Sequence, residues 1–478
     1  MFSSRAGTRL SRGILLRARL GVGGTTGRRS YSASASRPQH QQQQLLPSTQ
    51  LKEGVASHII DSSGKGIAFD DVSGSTAVRP GFTSRIKIEL SRGPATFDSI
   101  FLRDSCKCPS CVDPSTSQKS FQTADIPADI EGSCQVTDTL EEANLAVINW
   151  KNDIPGFPEG HQTALPLDFL ERALEDESKY RAKEYSPPAR VLWDKKIMHR
   201  DNAYFDYNRY LGSDETLYRT LQMLHTHGLV FICNVPDTLD TDNSKSITTI
   251  AERIGTMRDT FYGRTWDVRS VPNAKNVAYT HQYLGLHMDL CYMDNTPHLQ
   301  FLHCMRARSP GGESLFSDSI HAAEIIRHRA PELFDALRTF GVTYHYFNAG
   351  QAYRQVRPTV ELENQDDATS PIKLVNWSPP FQGPFAHDIG TRNGGKALRR
   401  YHAAAQMLDS IIGAPENLFE LRMEEGVCVI FDNRRVLHAR RAFDASRGER
   451  WLKGAYMDRD VFASKLAVLG TTFAKRQS

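Results

Sequence analysis

Alternation of apolar and polar residues predicts strands near the start of the ordered part of the chain. In "SRIKIELSRG" the residues Ile86, Ile88 and Leu90 alternate with polar residues, which is the pattern of a strand with one buried face. The segments "DSIFLRDSC" and "LAVINW" are predicted to be further short strands. We therefore expect a small β-rich domain over residues 84–175.

Helical periodicity marks the start of a second unit. In "DETLYRTLQMLHTHG" the residues Leu217, Leu221 and Leu224 share one helical face, and Gly228 is well placed to end the helix. A buried strand, "LVFICNV", and another short helix follow. Beyond them a series of short apolar segments predicts strands, interrupted chiefly by the helical segment "GGKALRRYHAAAQMLDSIIG". This pattern indicates a mainly β domain with helical support, of the jelly-roll type, over residues 195–465.

The N-terminus has the composition of a targeting peptide. The first 31 residues contain seven arginines, and the first acidic residue of the chain is Glu53. Arginine and serine without acids are typical of a mitochondrial transit peptide. We expect residues 1–31 to be removed near "GRRSYSAS" and the mature protein to lie in the mitochondrial matrix. Residues 32–83, which include "HQQQQ" and many Ser and Gly, are predicted to be a disordered linker.

Charge and hydropathy argue against two classes of partner. The formal net charge is +3, and it falls by seven, to −4, when the N-terminal arginines are removed. The mature chain therefore has no basic surplus for nucleic acid. No apolar run approaches the roughly 20 residues of a membrane-spanning helix. A soluble protein that neither binds nucleic acid nor spans a membrane is the remaining expectation.

His287 and Asp289 raise the question of a metal site. They are two residues apart in "YLGLHMDLCY", so their side chains point to the same side of a strand. Alone, such a pair is more typical of packed polar residues. His438, which follows the apolar segment "VCVIFDN", is a third candidate ligand. Two histidines and one carboxylate leave half of an octahedral coordination sphere open, as in non-haem Fe(II) oxygenases.

Arg450 extends this set of residues. It lies twelve residues after His438, in "ERWLKGAYMD", on the next predicted strand. Its guanidinium could form a bidentate ion pair with a dicarboxylic cosubstrate. Alone, Arg450 would be interpreted as part of a surface salt bridge, but its combination with three candidate iron ligands favours an oxygenase.

These segments together resemble a known family. "HMD", "DNRRVLHARR" and "RWLKGAY" are similar to the 2-oxoglutarate and Fe(II)-dependent dioxygenases, in the branch of γ-butyrobetaine and trimethyllysine hydroxylases, and the similarity covers residues 84–465. It implies a double-stranded β-helix preceded by a small zinc-binding domain. It also implies Fe(II) on the two histidines and the aspartate, and the distal carboxylate of 2-oxoglutarate on Arg450. "GGES" resembles the family's GG-x-[ST] segment, which implies a hydrogen bond from Ser314 to the cosubstrate.

Three of the eight cysteines form a tight cluster. Eight cysteines in 478 residues do not make a disulfide scaffold. Cys106, Cys108 and Cys111 lie in "CKCPSC", and in a reducing compartment such a cluster indicates a metal. The resemblance adds His161, in "EGHQT", as the fourth ligand of a tetrahedral structural Zn²⁺. The remaining cysteines are expected to be buried apolar side chains.

The resemblance also implies a substrate site. A trimethylammonium group has no hydrogen to donate, so aromatic faces bind it. Tyr262, Trp266, Tyr279 and Tyr456 match the positions that form the aromatic cage of the γ-butyrobetaine enzyme. Asn276 matches a position that helps to bind the substrate carboxylate.

Two segments depart from the γ-butyrobetaine pattern. "VNWSPPFQGP" places Ser378 and Pro379 where the family commonly has two amides, and "LCYMDNTPH" follows the metal motif. The favoured substrate is γ-butyrobetaine, with L-carnitine as product, and trimethyllysine or another amino-acid-like substrate is the alternative. A catalytically silent zinc-containing matrix protein and a different metalloenzyme on a jelly-roll scaffold are the other interpretations. The resemblance further implies a homodimer, with ascorbate as reductant.

Overall fold

The computed structural model describes residues 84–137, 144–175, 187–238, 242–269, 282–385 and 389–477. The predicted targeting peptide and linker lie outside these ranges. No helix in the described part of the chain combines the length and apolar character needed to cross a membrane.

The N-terminal region consists of two small antiparallel sheets and two short helices. Strands β1 and β2 form a hairpin, and β3, β4 and β5 form a three-stranded sheet in that order. Ile88, Leu102 and Ile148 lie in the apolar core that the two sheets share. The elements are β1 Arg85–Leu90, β2 Gly93–Asp98, α1 Ser99–Asp104, β3 Gly132–Thr137, β4 Leu145–Trp150, β5 Gln162–Pro166 and α2 Leu167–Arg172.

The segment "DSIFLRDSC" is a helix, so the prediction of a strand there was wrong. Asp98 caps α1, because its side chain accepts a hydrogen bond from the backbone N–H of Ile100 at 2.9 Å. Ser99, Leu102 and Arg103 are buried, and their three- and four-residue spacing is helical. The cap and this spacing override the β-forming Ile and Phe of the segment.

The larger region contains the remaining elements, and its strands and helices follow most of the predicted pattern. The first helices and strands are α3 Lys195–Asp201, β6 Tyr204–Asp206, α4 Tyr207–Gly212, α5 Asp214–His227, β7 Leu229–Cys233, α6 Lys245–Ile254, β8 Thr265–Arg269, β9 Leu284–His287, β10 Leu299–Ala307 and β11 Ser314–Asp318. The others are α7 Ser319–Arg329, α8 Pro331–Thr339, β12 Gly341–Asn348, β13 Gln351–Pro358, β14 Val360–Leu362, β15 Ile372–Val375, α9 Arg392–Ile412, β16 Phe419–Leu421, β17 Cys428–Asp432, β18 Val436–Arg440, β19 Arg450–Met457 and α10 Arg459–Gln477.

Two sheets form the framework of this region. One has the order β6-β7-β17-β10-β19-β8 and the other the order β16-β11-β18-β9. From β9 to β11 and from β16 to β19, consecutive strands alternate between the two sheets, as in a double-stranded β-helix. Helices α5, α6 and α10 pack on the six-stranded sheet, and α7, α8 and α9 pack with the hairpins β12–β15. The prediction of a mainly β catalytic region with helical support is confirmed.

Candidate active site

A cavity lies between the two sheets, and strand alternation determines which residues line it. In β10, β11 and β18, residues two apart face the cavity, as with Gln300 and Leu302 or His438 and Arg440. The cavity is lined by predicted iron, cosubstrate and cage residues alike. The fold therefore brings the residues proposed to bind iron, cosubstrate and substrate into one cavity.

The three predicted iron ligands meet in the lining of this cavity. His287 and His438 are direct partners on β9 and β18, and their ring centroids are 4.2 Å apart. Asp289 Oδ1 lies 3.4 Å from His287 Nε2. One ligand atom from each of the three residues lies within 4.8 Å of the other two, which fits a single metal ion.

The protonation states of these side chains also suit a metal. Burial would raise the pKa of Asp289, but hydrogen bonds from His287 and Tyr456 hold that pKa well below its usual range. Burial, together with His287, lowers the pKa of His438 to about 3. His287 Nδ1 contacts the backbone oxygen of Gly285 at 2.8 Å, which leaves Nε2 for a metal, and the buried His438 Nδ1 has no hydrogen-bond partner among the described residues. Metal ligation requires an ionised carboxylate and neutral imidazoles, and the lowered pKa values of Asp289 and His438 favour these forms.

Asn433 holds the two ligand segments together. Its side-chain Oδ1 accepts from the backbone N–H of Asp289 at 2.8 Å, and its Nδ2 donates to the backbone oxygen of Asp289 at 3.0 Å. Asn433 is fully buried in the turn between β17 and β18, just before the strand that carries His438. Sequence reasoning missed this residue, although "FDN" marks the end of an apolar strand.

Arg450 and Ser314 line the same cavity, as expected for cosubstrate binding. The Arg450 guanidinium lies 5.7 Å from the centroid of the Phe443 ring. Gly312 has φ +77°, and a Cβ there would lie 3.0 Å from Arg450 Cδ and Nε, so the glycine makes room for the arginine. Burial lowers the pKa of Arg450 to about 10, so it remains a cation at neutral pH.

Arg440 is a further cation of the cavity that sequence reasoning missed. It is the cross-strand partner of Ser314, and its guanidinium lies 5.0 Å from the Phe443 centroid. It donates a hydrogen bond to the backbone oxygen of Gln282. Its place two residues after His438 on a strand is the signal that could have identified it, because residues two apart face the same side.

Aromatic side chains form one wall of the cavity. Tyr262, Trp266 and Tyr456 all line it, and the Trp266 and Tyr456 rings stack with centroids 4.1 Å apart. Gly454 is the cross-strand partner of Trp266, and a Cβ there would collide with the indole. Only glycine at this position lets the indole lie across β19 and reach Tyr456.

The wall extends beyond the predicted residues. Tyr292 and Phe381 also line the cavity, with ring centroids 5.2 Å apart. Both come from segments in which the sequence departs from the γ-butyrobetaine pattern. Asn276 and Tyr279 lie outside the described residues.

Ser378 has a structural contact. Its hydroxyl donates to the backbone oxygen of Met288 at 2.8 Å, and the backbone N–H of Met288 donates to Trp377 O at 2.8 Å. Ser378 is buried, and together with Trp377 it fixes the residue between His287 and Asp289. In this chain Trp377 and Ser378 therefore hold the backbone of the His287–Asp289 motif in place.

The cysteine cluster forms a second potential metal site. His161 Nε2 lies 3.6, 3.3 and 3.4 Å from the Sγ atoms of Cys106, Cys108 and Cys111, respectively. One ligand atom from each residue lies within 4.8 Å of the others. Burial acts to raise the pKa of Cys108, but hydrogen bonds from His161 and Cys111 lower it to about 7.

Arg103 and Asp153 contact residues of this cluster. Asp153 Oδ2 lies 2.6 Å from His161 Nδ1, which turns Nε2 toward the thiols. Arg103 donates to Asp153 Oδ1 and, through Nη1, to Cys111 Sγ at 3.3 Å. The Arg103 side chain is fully buried against the rings of Phe121 and Phe157. Such carboxylate and cation contacts are typical of residues that orient metal ligands.

Comparison with known proteins agrees with the geometry. The taurine catabolism dioxygenase TauD, TfdA family model matches residues 192–456. Dioxygenase str8 of Strobilurus tenacellus is 38% identical, over 76% of this chain and 82% of that protein. The γ-butyrobetaine dioxygenase of Pseudomonas sp. (strain AK-1) is 30% identical, over 81% of this chain and 94% of that protein. The mitochondrial trimethyllysine dioxygenase of Rattus norvegicus is 30% identical, over 80% of this chain and 85% of that protein.

The family match spans more than half of the chain, and the relatives cover most of it. The predicted resemblance and the prediction of an enzyme dependent on Fe(II) and 2-oxoglutarate are confirmed. The chain belongs to the taurine catabolism dioxygenase TauD, TfdA family and is a 2-oxoglutarate-dependent dioxygenase.

Proposed function

We propose that the enzyme hydroxylates a small trimethylammonium substrate, with γ-butyrobetaine as the favoured substrate and L-carnitine as product. The observation that carries the proposal is the aromatic wall beside the candidate iron site. Tyr262, Trp266 and Tyr456 contribute ring faces, and Asp289 is the only acidic residue among the described residues that line the cavity. A cation without N–H groups gains attraction from ring faces and needs no acceptor. Relatives at 30% identity are named for γ-butyrobetaine and for trimethyllysine.

Each group of residues has a part in this reaction. His287, Asp289 and His438 would hold Fe(II), which would supply the oxidation of a C–H bond to an alcohol, coupled to conversion of 2-oxoglutarate and dioxygen to succinate and CO₂. Arg450 would bind the distal carboxylate of 2-oxoglutarate, and Ser314 would add a hydrogen bond to the cosubstrate. The buried cavity keeps water from the reacting groups, and the aromatic wall orients the substrate.

The test is substrate-stimulated turnover. Purified enzyme with Fe(II), ascorbate and 2-oxoglutarate should release succinate faster with γ-butyrobetaine than with trimethyllysine or with no substrate. His287→Ala should abolish release. Trp266→Ala should raise the Michaelis constant for the trimethylammonium compound by about tenfold or more, since cation–π contacts are worth about 2 kcal/mol when desolvated. Stimulation by trimethyllysine alone would select the alternative substrate, and no stimulation by either would contradict the proposal.

We further propose that residues 84–175 form a zinc-binding domain. Cys106, Cys108, Cys111 and His161 would hold a structural Zn²⁺, because four protein ligands leave no open position for chemistry. Metal analysis of wild-type protein should find zinc in addition to iron. His287→Ala should lose iron and keep zinc, and loss of both metals together would contradict two separate sites.

We also propose a location in the mitochondrial matrix. The arginine-rich, acid-free residues 1–31 support it, as does a relative whose name includes "mitochondrial". A fluorescent fusion should enter mitochondria and lose this location when residues 1–31 are deleted. The homodimer implied by the resemblance is testable by light scattering on the same purified protein.

A further inference from the structure

Two hydrogen-bond donors act on a single oxygen of Asp289. Gln300 Nε2 lies 2.8 Å from Oδ2, and the Tyr456 hydroxyl donates to the same oxygen at 2.7 Å. Both donors are only 2% exposed, so water has little access to replace them. The other oxygen, Oδ1, is the one that lies 3.4 Å from His287 Nε2.

The sheet register explains why the two donors meet at one atom. Gln300 on β10 and Tyr456 on β19 are direct cross-strand partners, so their side chains emerge side by side on the cavity face. An ionised carboxylate can only accept hydrogen bonds, so the Gln300 amide must present its nitrogen to Asp289. The Tyr456 hydroxyl has one proton and gives it to the same oxygen.

We propose that Gln300 and Tyr456 are positioning residues that restrict Asp289 to metal binding through one oxygen. An aspartate can bind a metal through one oxygen or through both. With Oδ2 occupied by two donors, only Oδ1 is available, and three positions of an octahedral ion remain open. If both oxygens bound, one of these positions would be lost and too few would remain for the cosubstrate and dioxygen. The inference rests on the iron site of the proposed function and does not depend on which substrate is hydroxylated.

The test measures cosubstrate binding and carboxylate geometry without turnover. Metal-free full-length protein is loaded with Co(II) and titrated with 2-oxoglutarate by calorimetry. Gln300→Met keeps the side-chain length and Tyr456→Phe keeps the ring, while each removes one donor. We expect the dissociation constant for 2-oxoglutarate to rise about tenfold in each single variant and about 100-fold in the double variant, the range found for residues that orient metal ligands. In the metal-induced infrared difference spectrum, the separation of the two carboxylate stretches should narrow, because a carboxylate bound through both oxygens becomes more symmetric.

A matched control removes a buried hydroxyl elsewhere. Tyr210→Phe deletes a hydroxyl that donates to the backbone oxygen of Ile250 at 2.9 Å, and it should leave both measurements unchanged. The inference would be overturned if the Gln300 and Tyr456 variants kept both the carboxylate stretch separation and the 2-oxoglutarate affinity of the wild type. If the double variant does not fold, the single variants carry the same test. Unchanged Co(II) affinity in His287→Ala would instead overturn the iron site itself, so the two failures are distinguishable.

Discussion

Replacement of Arg450 should remove 2-oxoglutarate binding and leave the iron site intact. Arg450 lines the cavity, is largely desolvated and forms no ion pair with a carboxylate of the described residues. Its pKa of about 10 keeps it charged throughout the neutral range. A partly buried cation that forms no ion pair with the described carboxylates is well suited to an anionic ligand. The proposed partner is the distal carboxylate of 2-oxoglutarate.

The expected loss of 2-oxoglutarate affinity follows from the number of hydrogen bonds that the Arg450 guanidinium can make to the distal carboxylate. A guanidinium can make two parallel N–H···O bonds to a carboxylate, and each charged bond is worth about 1.5–3 kcal/mol. Arg450→Lys keeps the charge but loses the planar fork, so the dissociation constant should rise about 10- to 100-fold. Arg450→Met loses both bonds, about 3–6 kcal/mol, and should raise the dissociation constant more than about 100-fold.

Calorimetry with two ligands separates this role from a general structural one. 2-Oxopentanoate has the same 2-oxo acid group as 2-oxoglutarate and lacks the distal carboxylate, so Arg450→Met should weaken binding of 2-oxoglutarate alone. Arg441→Met is the matched control, because Arg441 pairs with Glu420 on the surface and does not line the cavity. Equal weakening of both ligands, or 2-oxoglutarate binding within about threefold of wild type, would refute the reasoning.

Three further predictions concern the wall, the thiol cluster and a buried histidine. Gly454→Ala should displace Trp266 and raise the Michaelis constant of the substrate about tenfold without a change in iron content; an unchanged constant would contradict the packing argument. Asp153→Asn should weaken zinc binding at His161 about 10- to 100-fold in a chelator competition, and an unaltered affinity would show that Asp153 does not orient the imidazole. Burial lowers the pKa of His303 to about 4, so the unfolded chain binds more protons than the folded one between about pH 4 and 6.5, and stability is lost as the pH falls through this window. Between pH 7.5 and 5 the free energy of unfolding measured in urea should fall by about 1–2 kcal/mol more in wild type than in His303→Leu, and parallel profiles would exclude this histidine as the cause.

Part of the site was predictable because its chemistry restricts residue type and spacing. His287 and Asp289 are two apart, which in a strand places both on one face, and few residue types bind Fe(II). Arg450 was predictable because a dicarboxylate needs a cation at the end of the cavity. These residues were predicted from the chemistry of the ligands that they are proposed to bind.

The residues that support the site could not be predicted in the same way. Gln300 is a single polar residue in the apolar segment "LQFLHCMRA", and its contact with Asp289 depends on the register between β10 and β19. Asn433 meets Asp289 only after two sheets have assembled. The helix at Ser99–Asp104 was missed for a local reason, because its cap at Asp98 outweighs an apparently strand-like sequence.

The contact between Asn433 and Asp289 also bears on how the protein would acquire the proposed iron and zinc. These residues are 144 positions apart in the chain, so forming their contact has the entropic cost of closing a long loop. Because protein hydrogen bonds hold Asp289 in place without a metal, we expect the proposed iron to enter after folding and to leave without unfolding the protein. The ligands of the proposed zinc lie within 55 positions of one another and can bind metal while the chain is still being made. A cell short of iron would therefore hold a folded reserve of this enzyme that regains activity on iron supply, whereas a shortage of zinc would reduce the amount of folded protein.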